Sequence, residues 1–264
     1  MNVPPGNPLW RFPGLGTVAG LFFAYLYLPI VILIALSFNA NRTATLWTGF
    51  STEWYFAVLA NDDILRAARN SLIIAVSATV AATLAAIPAA LATSRTRFRG
   101  QDAVNGLISL PLVVPEIVTA VATLLFFVLI GLRLGLLTVI IAHTVFCIPF
   151  AYLPIRARLE GMDPRLGEAA MDLYADRWRT FRRITLPLLW PGILSGAMLA
   201  FIISLDDFVI TYFVAGAGAT TLPVYIFGMI RIGVTPEVNA VSALMLLVSI
   251  LFVSLSYSVG RMAR

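Results

Sequence analysis

The chain has 264 residues, 60% hydrophobic and only 12% charged, with a mean hydropathy of +0.92. A soluble domain carries about twice that share of charge, so the composition excludes a soluble globular protein and points to an all-α membrane protein with several spans. The net charge of +5 comes entirely from Arg. With no Lys there is no Walker A phosphate loop, so this chain holds no nucleotide cofactor and any ATP and Mg must be bound by other subunits.

Residues 1–14 form a Pro- and Gly-rich tail with Trp10 and Arg11 at the membrane edge. Residues 15–38 are too long for a signal-peptide core and lack a clear cleavage site, so they read as span one, kinked at Pro29. A polar connection, 39–69, carries Trp47, Phe50, Trp54 and Tyr55, and Asp62 and Asp63 near its end. Span two is 70–93, followed by a short basic loop with Arg95, Arg97 and Arg99. Span three, 103–130, is interrupted by Pro111 and Pro115, and a tight turn at 131–135 leads into span four, 136–155, with His143 and Pro149. A charged segment precedes span five, 188–214; a last large connection, 215–237, precedes span six, 238–259, and a basic tail. No linker, internal repeat or soluble domain interrupts this single transmembrane domain. Six spans place both termini on one side. Thirteen of the eighteen Arg fall on that side, so the positive-inside rule makes the termini cytoplasmic.

Residues 168–187, EAAMDLYADRWRTFRRITLP, form a charged island in which seven of twenty residues are charged. Asp163-Pro164 just upstream reads as an N-cap followed by Pro at the first helical position. Ala169 and Ala170 give that helix a small packing face, and Tyr174-Ala175-Asp176 offers a turn. Trp178, Phe181 and Ile184 recur every three residues among Arg179, Arg182 and Arg183, which predicts a second short amphipathic helix near a membrane surface. Leu186-Pro187 is expected to stop it, and Trp190-Pro191 to start the next span.

Three carboxylates fall inside spans, where each costs on the order of 3 kcal/mol and where a functional role is the default. Glu116 follows Pro115 in SLPLVVPEIV, and two prolines four apart predict a broken helix beside a carboxylate. Asp206 and Asp207 lie in FIISLDDFVITYF, about 100° apart on a helix. Asp207 shares a small, polar stripe with Gly196, Ala200, Ser204 and Thr211, which predicts that it lines a path. Asp206 points with Leu199, Ile202, Ile210 and Phe213, leaving it protonated, paired with a partner subunit or at the path mouth. Such a path favours cations by Coulomb attraction. Phe208, Tyr212 and Phe213 could add cation–π contacts, with plain packing as the alternative for each. His143 stands alone on an apolar helix and reads as an interhelical hydrogen-bonding residue. No metal-ligand cluster, catalytic constellation or nucleic-acid patch accompanies it. Cys147 reads as a small buried hydrophobe.

The Glu-Ala-Ala opening and Ile-x-Leu-Pro ending of the island resemble the cytoplasmic loop of ABC importer permeases. Glu168, Ala169, Ala170, Ile184, Leu186 and Pro187 stand at the motif spacing. Tyr174 stands where that family usually has Gly, so it either takes up a left-handed conformation at a cost or forms a different turn. AYLYLPIVILIALSFN, PLVVPEIV, IAHTVFCIPF, SLDDFVITYFVAG and LPVYIFGMIRIGVTPEVNAVSALMLL extend the resemblance over nearly the whole chain, toward the polyamine (spermidine/putrescine) branch of the family. The resemblance implies a type I importer fold in the bacterial inner membrane. It also implies a second homologous permease, two ATPase subunits that bind ATP and Mg, one of which receives the loop 159–187, and a solute-binding protein. Related importers carry iron, opines or aminophosphonates, so these solutes stay open. An ion-coupled secondary carrier using the same carboxylates is the reading from another class, and it leaves the island without a task.

Overall fold

The computed structural model describes residues 14–41, 46–95, 97–163 and 165–262, with the backbone alone at Arg95 and from 255 onward. The tail with Trp10 and Arg11 and the proposed first helical residue Pro164 lie outside the described residues. The helices in chain order are α1 Leu15–Leu36, α2 Glu53–Ala60, α3 Asp62–Arg95, α4 Gln101–Val113, α5 Glu116–Leu129 and α6 Leu136–Glu160. They continue with α7 Arg165–Asp172, α8 Arg177–Thr180, a π turn at Phe181–Thr185, α9 Leu186–Asp206, α10 Val209–Val214, α11 Leu222–Ile232 and α12 Pro236–Met262. Among the described residues five helices are long and apolar enough to cross a membrane, and α4 with α5 makes a sixth candidate bent by 108°.

The chain divides into two compact units. Met1–Ala60 with Met229–Met245 forms one, and Asn61–Gly228 with Leu246–Arg264 forms the other. In the first, α1 has no buried residue, as befits a helix whose apolar surface meets lipid or another chain. The loop after it is knotted around Asn39, which is fully buried. Its Oδ1 accepts the backbone N–H of Asn41 and Thr48, and its carbonyl accepts Trp54 Nε1–H. The connection thus carries defined structure and helix α2, where the sequence suggested only polar chain. The second helix also starts earlier than residue 70. Asn61 Oδ1 accepts the N–H groups of Asp63 and Ile64, and Asp62 and Asp63 favour the positive helix end.

The core of the second unit is α3, α6 and α9. On α3, Ala75, Ala78, Ala82, Ala86 and Ala90 are all fully buried, spaced three or four apart on one face. In lipid, where apolar side chains gain nothing by leaving their surroundings, small residues let backbones approach closely enough for dispersion to hold them. The same logic governs α9 against α6. A Cβ on Gly196 would fall 2.5 Å from the carbonyl oxygen of Ala151, and one on Gly192 would fall 2.6 Å from Arg158 Cβ. The stripe Gly196–Ala200–Ser204 is therefore a packing face, all three residues buried, and not the open lining that their small size suggested.

Two of the spans are broken, one where its prolines predicted it and one where no break was expected. Span three breaks at Pro115, not Pro111, which lies inside α4. Val114 takes ψ 132°, the extended conformation that a following proline imposes, and Pro115 starts α5 at ψ 134°. Span five, expected to be continuous, breaks at Asp207, whose ψ is 127°. Asp competes for backbone donors with its own side chain, and Thr211 N–H donates to Asp207 Oδ1 at 3.0 Å.

The stop expected at Leu186-Pro187 does not occur. A single stretch, Arg177–Asp206, runs from the island through the membrane. The π turn lies immediately before Pro187, and its wider spacing removes the clash between the proline ring and the carbonyl four residues back. Upstream, α7 ends in a Schellman motif. The N–H of Ala175 donates to Ala170 O at 3.0 Å and that of Tyr174 to Met171 O at 3.0 Å. This motif needs a left-handed residue, and Tyr174 supplies it at φ 62°, the only non-Gly residue with positive φ among the described residues. Its side chain is 96% exposed and gains nothing from packing in return. Tyr174→Gly is expected to stabilise this turn by about 0.5–1 kcal/mol. Hydrogen exchange of the Ala175 amide should slow about threefold; unchanged or faster exchange would show that the turn carries no strain.

Candidate functional site

The two breaks meet. Glu116, the first residue of α5, and Asp207, between α9 and α10, come together with His143 of α6. Glu116 is half-buried at the helix start that Pro115 and the bend create, and the Asp207 side chain is buried where α9 ends. The Asp207 and His143 side chains are 2% and 1% exposed, with His143 Nε2 3.1 Å from Asp207 Oδ1. The same nitrogen lies 2.9 Å from Thr211 Oγ1, and His143 Nδ1 lies 2.8 Å from Ser204 Oγ. Thr211 Oγ1–H also donates to Asp207 Oδ1 at 3.2 Å. Asp207 Oδ1 is thus saturated. Its Oδ2 is buried without a hydrogen-bond partner among the described residues, beside the half-buried Glu116 carboxyl. A carboxyl group this deeply placed needs such partners: its other oxygen accepts the Thr211 N–H and hydroxyl and faces the His143 ring nitrogen.

Asp206, one residue earlier, is exposed. The two neighbouring acids thus face apart, Asp207 inward and Asp206 outward, as the step of about 100° per residue predicts. Tyr212 is exposed as well, with Phe208 at 5.3 Å and Phe227 of α11 completing a ring cluster at 4.7 Å from Phe208. The structure therefore brings Asp207, Glu116, Ser204 and Thr211 into one node and leaves Asp206 and Tyr212 outside it, both exposed. The interhelical hydrogen bonding expected of His143 is present, and what the sequence did not show is that its partners are Asp207 and its neighbours, although the one His and the paired acids were polar groups stranded in apolar spans. Phe227 carried no signal.

On the island, Glu168 and Ala169 are exposed on α7 while Ala170 packs inward, and Tyr174 is exposed at the turn. Asp176 caps α8, accepting the Arg179 N–H at 2.7 Å. Ile184 and Leu186 are half-buried and Pro187 is exposed. Leu173 at 81% and Trp178 at 67% exposure add apolar surface to a short, otherwise charged element, which is the character of a docking surface.

Residues 81–264 match the family described as the binding-protein-dependent transport system inner membrane component. The spermidine/putrescine transport system permease protein PotC of Escherichia coli (strain K12) is 41% identical over 239 residues, 90% of this chain and 90% of that protein. The putrescine transport system permease protein PotI of the same strain is 42% identical over 252 residues, 93% of this chain and 88% of that one. Among solved structures, a bacterial ABC transporter involved in the import of the acidic polysaccharide alginate shares the fold. Its TM-score is 0.71 at 19% identity, covering 98% of this chain and 99% of that chain. The MetNI methionine ABC transporter gives 0.67 at 20% identity over 76% of this chain and 96% of its own. With the motif on the island and the match covering well over half of the sequence, this chain belongs to the family of inner-membrane permease components of binding-protein-dependent transport systems.

Proposed function

We propose that this permease forms half of the path by which an ATP-driven importer carries a polyamine, such as putrescine or spermidine, across the inner membrane. One observation carries the reading: identity above 40% along nearly the whole chain to two permeases whose names specify those amines. The chemistry of the exposed groups supports it. An exposed carboxylate at Asp206 and an exposed Tyr212 within six residues of it, with the carboxyls of Glu116 and Asp207 nearby in the fold, favour an ammonium group over an anion. In this reading Asp206 and Tyr212 meet the solute. Glu116, Asp207, Ser204 and Thr211 shape the path from within.

A second homologous permease supplies the other half, a solute-binding protein delivers the amine, and two ATPase subunits bind ATP and Mg. Both termini and the island lie in the cytoplasm, and Glu168, Ala169, Ala170, Tyr174, Ile184, Leu186 and Pro187 meet the ATPase. Closure of the ATPase then biases two packings of the helices, which is alternating access. The unbroken helix from Arg177 to Asp206 supports a direct mechanical link from docking surface to path.

The test is uptake of labelled putrescine and spermidine by the reconstituted complex. ATP-dependent uptake of either is expected; none, with ATPase stimulation by the binding protein intact, would discard the amine and keep the importer. Glu168→Arg reverses an exposed charge on the docking surface. It should cut uptake at least about tenfold, with membrane insertion unchanged; normal uptake would remove Glu168 from the contact. Asp206→Asn should raise KM for the amine about tenfold with little change in maximal rate. Asp207→Asn should chiefly lower the maximal rate, and equal KM effects for both would refute this division.

A further inference from the structure

The two oxygens of Asp207 stand in opposite conditions. Oδ1 is engaged by Thr211 and faces His143, whereas Oδ2 has no donor among the described residues, on a side chain only 2% exposed. One further group lies within hydrogen-bonding reach of this carboxyl, the carboxyl of Glu116. The backbone brings the two together as well. Helices α5 and α10 pack on each other, and Ala120, one turn past Glu116, shares a buried cluster with Ile210, one turn past Asp207. An ionised Glu116 can only accept hydrogen bonds, and two carboxylates this close repel. A protonated Glu116 carries an O–H, which is the donor that Oδ2 lacks.

The other titratable groups around the pair do not fill that place. His143 directs Nε2 to Oδ1 and Nδ1 to Ser204. Asp206 is exposed, and the Cys147 thiol bonds the Ala200 carbonyl. The charges of α3 (Asp62, Asp63, Arg66, Arg69 and Arg95) lie at its ends, and Tyr152, Arg156, Arg158 and Glu160 lie toward the far end of α6. Before Asp206, α9 has no titratable residue; α10 has only the exposed Tyr212, and α11 has Tyr225 and Arg231.

We propose that Glu116 and Asp207 hold a single proton between them, and that the ammonium group of the solute displaces it. Glu116 carries the proton and donates it to Asp207 Oδ2. Glu116 is half-buried and Asp207 buried, so an arriving cation meets Glu116 first. The ammonium N–H groups then bond both carboxylates, the Glu116 O–H bond breaks with its electron pair left on oxygen, and the proton leaves to water. The pair carries one negative charge before the exchange and, with the ammonium counted, one after, so no extra charge is buried. The displacement rests on the functional reading above for the solute; the shared proton does not. Because binding releases a proton, affinity for the amine rises with pH, by up to about tenfold per unit.

The experiment compares wild type, Glu116→Gln, Asp207→Asn and Asp206→Asn in the reconstituted complex. Glu116→Gln and Asp207→Asn each keep an N–H donor between the two groups but have no proton to release. Infrared spectra without amine, at neutral pH, should show a protonated-carboxyl C=O band in wild type and Asp206→Asn that both amide variants at the pair lack. Between about pH 6 and about pH 8, KM for putrescine should fall at least about fivefold in wild type and in Asp206→Asn, and change by less than about twofold in Glu116→Gln and Asp207→Asn. A wild-type spectrum without that band, or the band surviving in both amide variants, would overturn the shared proton. A flat KM in wild type, or the same fall in the amide variants, would overturn the displacement. If one amide variant fails to assemble, the other decides. If the wild-type complex carries no amine, the infrared arm still decides the shared proton, and the solute reading falls by itself.

Discussion

Hydrocarbon offers no hydrogen bonds, so a helix interrupted within a membrane exposes amides and carbonyls that only protein can satisfy. Two spans of this chain are interrupted, and that constraint explains why the breaks lie together. Each break presents a carboxylate, Glu116 at one and Asp207 at the other, and one buried histidine meets the second. Thr211 and Ser204 complete the set from either side of the second break. Placed apart, each interruption would need its own polar partners in an interior with few polar residues to give.

The Ala- and Gly-rich packing of α3, α6 and α9 makes this arrangement possible. With backbones as close as Gly196 and Ala151, short side chains such as Ser204 and Asp207 reach across to a neighbouring helix. The same closeness separates the acids by environment. Asp207 is sealed among polar partners, whereas Asp206 is exposed. Adjacent residues thus differ because successive side chains on α9 point about 100° apart.

Composition and period gave the architecture, since long apolar runs and the asymmetry of Arg leave few alternatives. Pro115 foretold the first break because proline acts locally, on its own nitrogen and on the residue before it. Asp207 gave no such warning, since what holds its break is His143, 64 positions earlier. The small-residue stripe was legible as a pattern, yet small residues suit a packed face as well as an open one, and only the neighbouring helix decides between them. Tyr174 is the converse case: the island's motif demanded a left-handed residue, and the backbone obeys the motif against the preference of the side chain. The stop expected at Pro187 failed because a π turn upstream made room for the ring.

That π turn has a consequence beyond accommodating a proline. A π turn amounts to one residue added to a helical frame, and each residue advances the side-chain direction by about 100° while lengthening the helix by only about 1.5 Å. Between the island and span five it therefore acts as a phase offset, setting which way Trp178 and the Arg side chains of the island face relative to Ser204 and the break at Asp207. Insertions or deletions in Phe181–Thr185 would alter the angular register of the two ends far more than the distance between them.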